Sequence, residues 1–106
     1  MSKQEIKQKI KEAVEKDPLR DNIQKVSLFG SHIHEDFKSD SDVDILIEFT
    51  PTAKIGFFKY FDIRENMEKH LQKKVDLLTP DGLSKFFRNE VIKEAEIIYE
   101  KRIFWR

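Results

Sequence analysis

Apolar residues recur along this chain with two distinct periods. Ile6, Ile10, Ala13 and Val14 fall at helical spacing behind a Ser2/Glu5 capping-box pattern. This predicts a helix over 3–16 that stops at Asp17-Pro18, because a residue before proline is steered out of helical conformation. Ile23 to Phe29 is apolar with polar breaks at Gln24-Lys25 and Ser27, and reads as a strand running into Gly30. Val43 to Phe49 alternates strictly. Val43, Ile45, Ile47 and Phe49 share one face, and Asp42, Asp44, Leu46 and Glu48 share the other. Thr50-Pro51-Thr52 ends that strand.

The second half repeats the alternation of elements. Residues 55–72 return to helical spacing, with Phe57, Tyr60, Phe61, Arg64, Met67 and Leu71 in one stripe that is expected to be core. Lys74 to Leu78 reads as a short strand closed by Thr79-Pro80-Asp81-Gly82. Leu83 to Ala95 again has helical spacing, with Phe86, Phe87, Val91 and Ile92 apolar. Glu96 to Tyr99 either ends that helix or forms a last strand. The order predicts a small α/β domain with a mixed sheet of three to four strands and helices mainly on one side.

Composition narrows the picture. A chain of 106 residues is expected to be one domain, 1–106, and 39% hydrophobic residues including nine Phe supply a single core. Formal net charge is +0, which argues against nucleic-acid binding driven by bulk charge. There is no cysteine, so neither a disulfide framework nor a thiolate metal site is available. The first residues lack an apolar signal region, and no run approaches the ~18 apolar residues that a membrane helix needs. A soluble, cytoplasmic protein with no membrane association is expected.

Charge is unevenly placed. Glu35, Asp36, Asp40, Asp42, Asp44 and Glu48 crowd one stretch, with Lys38 the single cation among them. Two unit charges ~6 Å apart at an effective dielectric of ~20 repel by about 3 kcal/mol, so such a cluster favours bound cations. Glu35, Asp36 and Asp40 read as a solvated loop. Asp42 and Asp44 read differently. Gly30-Ser31 is followed, after ten intervening residues, by Asp42-x-Asp44. A Gly-Ser turn at a strand end can hold phosphate oxygens with backbone N–H groups. Two carboxylates one residue apart on a strand lie roughly 6–7 Å apart at Cα on one side, suited to divalent metal. The pair of motifs points to metal-assisted chemistry on a nucleoside triphosphate.

These residues resemble the minimal nucleotidyltransferases of the DNA polymerase β superfamily. The likeness rests on Leu28-Phe29-Gly30-Ser31, on Ser41-Asp42-Val43-Asp44-Ile45-Leu46-Ile47, and on Val75-Asp76-Leu77-Leu78-Thr79-Pro80. It spans about Val26 to Tyr99. It implies a small nucleotidyltransferase fold, and a catalytic and metal-binding trio of Asp42, Asp44 and Asp76 around two Mg²⁺ ions. Asp76 would also help to deprotonate the acceptor hydroxyl. ATP would be the donor, with Gly30 and Ser31 on its β- and γ-phosphates. The implied partner is a HEPN-type ribonuclease toxin, adenylylated on a tyrosine and so silenced.

One segment departs from that family. Where Arg-x-Arg-Gly commonly follows Gly-Ser, this chain has His32-Ile33-His34-Glu35. Two permanent charges become imidazoles that are mostly neutral at pH 7. His32 remains a candidate phosphate contact and His34 a weaker one. A zinc site there lacks a spaced third ligand. The departure keeps a second reading open, an antitoxin that masks its toxin without catalysis. Transfer to RNA or a small molecule is a third, opposed by the neutral charge and by the missing second domain, which a homodimer would have to replace. The Ile103-Phe104-Trp105-Arg106 tail fits a partner or self-association surface.

Overall fold

The computed structural model describes residues 1–33 and 42–101. His34, the acidic residues Glu35, Asp36 and Asp40, and the Ile103-Phe104-Trp105-Arg106 tail lie outside the described residues.

Helix α1 spans Lys3–Lys16, with the Ser2 and Glu5 side chains and backbones exchanging both capping-box bonds. Strand β1 (Ile23–Phe29) leads into a short turn, Gly30–Ile33. Strand β2 is Val43–Phe49, helix α2 is Phe57–Leu71, and strand β3 is Val75–Leu78. Helix α3 (Arg88–Glu94) and strand β4 (Glu96–Glu100) complete the described elements. The strands form one sheet in the order β3-β2-β1-β4. β1 pairs antiparallel with both β2 and β4, and β2 pairs parallel with β3. The mixed α/β architecture expected from the sequence is present.

The core lies between the sheet and helices α1 and α2. Ile6, Ile10, Ala13 and Val14 of α1 meet Val26, Leu28, Val43, Ile45, Ile47, Val75, Leu77 and Ile98 of the strands. Each aliphatic side chain fully removed from water contributes about 1.5–3 kcal/mol. Asn66 of α2 donates to the Ala13 carbonyl at 2.9 Å and to Asp17 Oδ2 at 3.2 Å, fastening the two helices together.

The aromatic stripe of α2 departs from its expected role. Its buried residues are Ile63, Met67 and Leu71. Phe57 is 75% exposed and Phe61 37%. The reason is angular. Ile63 lies four residues before Met67 and eight before Leu71, so these three define the inward line and Tyr60 extends it. Phe57 and Phe61 fall beside that line, toward solvent.

The last helix is also shorter than its apolar spacing predicts. Residues 83–87 turn around Ser84, whose carbonyl accepts from Phe87 N at 3.0 Å and Arg88 N at 2.9 Å. Phe86 is 90% exposed and Phe87 60%, and α3 buries no residue. Without a packed face, a segment this short has little to hold a longer helix. The 96–99 alternative resolves as strand, because β1 offers a free edge on which Val26 pairs with Tyr99. No helix among the described residues is long and apolar enough to cross a membrane.

Candidate active site

The end of β1 and the start of β2 meet because the strands are antiparallel, with Phe29 opposite Asp44. That register sets Gly30 against the Asp44 side chain. Gly30 has φ +75, in the left-handed region, and a Cβ built on it would overlap the Asp44 carboxylate, 2.9 Å from Cγ. Glycine is needed twice, for the backbone angle and for the approach. The turn that follows contains Ser31 and is held at its exit by α1. Lys3 Nζ donates to the Ile33 carbonyl at 3.2 Å and to Glu96 Oε2 at 2.9 Å. The Lys3 hydrogen bond also holds the Glu96 carboxyl below the usual range.

β3 brings the third carboxylate. Asp44 is directly paired with Asp76 across the parallel strands, so both side chains leave the sheet on the face opposite Val43, Val75 and Leu77. As an edge strand, β3 has an outer row of backbone groups to satisfy. Helix α2 supplies the partners. Glu68 Oε2 accepts from Val75 N at 2.9 Å, and the Tyr60 hydroxyl donates to the Leu77 carbonyl. Thus α2 runs along the outer edge of β3 and walls the site on that side.

The electrostatics follow from this convergence. Burial, then the charge of Asp76, then that of Asp42 push the Asp44 carboxyl up to about 6. Tyr60 is also raised, by burial and by Asp76. Asp42 and Asp76 line one hollow with Arg64, Glu68, Lys74 and Val75. Among the described residues, no three ligand side chains are gathered closely enough to hold an ion as they stand. The donor set nevertheless fits a hard divalent cation, being all-oxygen and anionic.

His32 behaves differently from its expected role. It has 0% exposure, and burial followed by the charge of Lys73 lowers its pKa. It is therefore neutral near pH 7, and where it stands it offers no surface to a phosphate. The cations that do face the acidic hollow are Arg64 and Lys74. Sequence reasoning placed Arg64 in the core stripe and passed over Lys74. The available signals were an arginine inside an aromatic stripe and a lysine two residues before Asp76.

A family model described as polymerase beta, nucleotidyltransferase matches residues 8–103. The chain belongs to this nucleotidyltransferase family. The protein adenylyltransferase MntA of Thermococcus cleftensis is 31% identical over 76 residues, covering 72% of this chain and 75% of that relative. The solved structure of a candidate minimal nucleotidyltransferase superposes with a TM-score of 0.73 at 26% identity, over 90% of this chain and 94% of that one. The fold is shared with a chain from the complex of an AMPylated Shewanella oneidensis HEPN toxin with its MNT antitoxin, at a TM-score of 0.64 and 18% identity. That match covers 93% of this chain and 73% of the other. In this nucleotidyltransferase His32 follows Gly30-Ser31, where the resemblance leads one to expect an arginine.

Proposed function

We propose that this nucleotidyltransferase moves AMP from ATP to a hydroxyl of a partner protein, with pyrophosphate leaving. The observation that carries the reading is the row formed by Gly30, Asp44 and Asp76 across three neighbouring strands. It sets a close-approach turn beside one carboxylate and a second carboxylate beyond it. The adenylyltransferase relative supports a protein acceptor, and the resemblance to minimal nucleotidyltransferases supports a tyrosine of a HEPN-type ribonuclease toxin. The chain would then be the antitoxin of the pair, working in the cytoplasm where ATP is available.

In this reading Asp42, Asp44 and Asp76 hold up to two Mg²⁺ ions, and backbone N–H groups at Gly30 and Ser31 hold the β- and γ-phosphates. Bound Mg²⁺ supplies neutralisation of phosphate charge and orientation of the reacting oxygens. Arg64 and Lys74 add positive charge at the rim, a contribution that compensates for a neutral His32. Asp76 accepts the proton of the attacking hydroxyl, help typically worth about 10²–10⁴-fold.

The test is incubation with ATP, Mg²⁺ and a HEPN partner, read by intact mass. The partner gains AMP with wild type and gains none with Asp42→Ala. A second reading is favoured by the buried, neutral His32: neutralisation by masking alone. Toxin inhibition that is indifferent to Asp42→Ala, with no mass gain in wild type, supports masking and overturns catalysis.

A further inference from the structure

The function proposed above, on which this inference rests, asks Asp76 to stay in one place. A displacement of about 1 Å at a reacting site can cost about a hundredfold in rate. Asp76 has little of its own to fix it. It is exposed, and β3 is a four-residue edge strand whose one sheet neighbour is β2. Val43 N donates to the Lys74 carbonyl at 2.9 Å, so Lys74 turns its backbone groups toward β2. Successive strand residues turn these groups to alternate edges. Asp76 therefore also bonds inward, whereas Val75 and Leu77, on either side of it, point their N–H and C=O groups away from the sheet. Left to water, such an outer row lets a short strand open locally.

Helix α2 meets this outer row with a single ridge. Tyr60, Arg64 and Glu68 follow one another at four-residue spacing, so they lie one above the next on the helix. The ridge runs antiparallel to β3. At one end the Tyr60 hydroxyl donates to the Leu77 carbonyl, and at the other Glu68 Oε2 accepts from Val75 N at 2.9 Å. Arg64, between them, lines the acidic hollow together with Asp76. The anchors of α2 in the core are different residues, Ile63, Met67 and Leu71. Packing of the helix on the sheet therefore needs neither the Tyr60 hydroxyl nor the Glu68 carboxylate.

We infer that Tyr60 and Glu68 are positioning residues for Asp76. They pin the backbone on both sides of it and so set the distance of its carboxylate from Asp44. Asp44 is held by other means: β2 lies inside the sheet, between β1 and β3, and Gly30 abuts the Asp44 side chain. Loss of the α2 clamp therefore moves Asp76 and spares Asp42, Asp44 and the turn at Gly30 and Ser31. Its signature is a fall in kcat with the KM for ATP held. Glu68 also lines the hollow that Asp42 and Asp76 share. A role for its charge and a role for its hydrogen bond part at Glu68→Gln, which keeps an oxygen for Val75 N and gives up the charge.

The test has two readouts on the full chain. The first, without Mg²⁺ or nucleotide, is amide hydrogen exchange followed by NMR. Val75 N–H should exchange about tenfold faster in Glu68→Ala and at nearly the wild-type rate in Glu68→Gln, while Leu28, in the central strand β1, is unchanged in both. The second is the initial rate of AMP transfer to a HEPN partner with ATP and Mg²⁺. Glu68→Ala and Tyr60→Phe should each lower kcat about tenfold with the KM for ATP within about twofold, and Glu68→Gln should stay within about threefold of wild type in kcat. Unchanged Val75 exchange in Glu68→Ala, or a Leu28 rate that rises equally, overturns the inference. So does a Glu68→Gln variant as slow as Glu68→Ala, or a loss that falls on the KM for ATP. If wild type transfers no AMP, the proposed function fails and the positioning role falls with it. If wild type transfers AMP and the variants match it, the positioning role falls alone.

Discussion

Gly30 and Asp44 are locked together: the glycine Cα faces the aspartate carboxylate with no room for a Cβ between them. The contact joins the turn after β1 to the second residue of β2, and it exists because Phe29 pairs with Asp44 in the antiparallel ladder. Gly30→Ala would meet both a left-handed backbone and an occupied space. A non-glycine residue in that region costs about 1–3 kcal/mol before the overlap is counted. Thermal denaturation should show a Tm lower by several degrees, at about 4–8 °C per kcal/mol for a domain of this size. AMP transfer should fall as well, because relief of the overlap displaces Asp44.

Asp44 itself should weaken the metal-free fold. Its folded pKa, about 6, lies above the ordinary aspartate value of 3.8. Between those values the unfolded chain binds fewer protons than the folded one, so this group's contribution to stability falls as pH rises from about 4 to about 6. The penalty is then constant at higher pH. Asp44→Asn removes it. Without Mg²⁺ at pH 7.5, the variant should melt higher than wild type, and the gap should close near pH 4. It should be inactive in transfer, a trade of function against stability. Tm measured across pH for both proteins decides the matter.

Metal binding should carry the same titration. Because the ligands must be ionised, Mg²⁺ displaces whatever proton Asp44 holds. Affinity should therefore drop as pH falls below about 6, the value to which Asp44 is raised. Calorimetry in two buffers of different ionisation enthalpy should detect proton release near pH 6 and almost none near pH 8. Proton release that is equal at both values would contradict the assignment of Asp44 as a ligand.

Lys3 should matter through the turn it holds. Its Nζ bridges the Ile33 carbonyl and Glu96. Lys3→Met removes a partly exposed ion pair and a hydrogen bond to the turn, worth about 0.5–1.5 kcal/mol together. Glu96 has a lowered pKa, so its share is present above the unfolded value of 4.5 and is lost as pH falls through the folded one. The difference in Tm between wild type and variant should shrink below pH 4.5. A larger KM for ATP with kcat nearly unchanged would show that the turn has loosened.

Two substitutions on α2 separate core from surface. Ile63 has 0% exposure and Phe58 81%. Ile63→Ala should cost about 2–5 kcal/mol through the cavity it leaves. Phe58→Ala should change stability by no more than about 0.5 kcal/mol. Urea denaturation of both variants measures the contrast, and a large loss in Phe58→Ala would mean that the aromatic end of α2 is packed after all.

Most of the architecture was legible in the residues alone. The Ser2/Glu5 cap, the alternation from Val43 to Phe49 and the Gly30-Ser31/Asp42-x-Asp44 spacing are local patterns, and local backbone geometry turns them into elements with a known inward face. Other features had no local signature. Whether 96–99 became helix or strand depended on the free edge of β1. Which side of α2 faced inward depended on where the sheet lay beneath it, which favoured Ile63 over Phe57 and Phe61. The burial of His32, the closeness of Gly30 to Asp44, and the pairing of Asp44 with Asp76 across 31 intervening positions were decided by the tertiary structure. Residue type and spacing set what each segment can form, whereas strand order and register set which distant side chains share a site. Charge repulsion and burial act only between groups that the fold has already brought together.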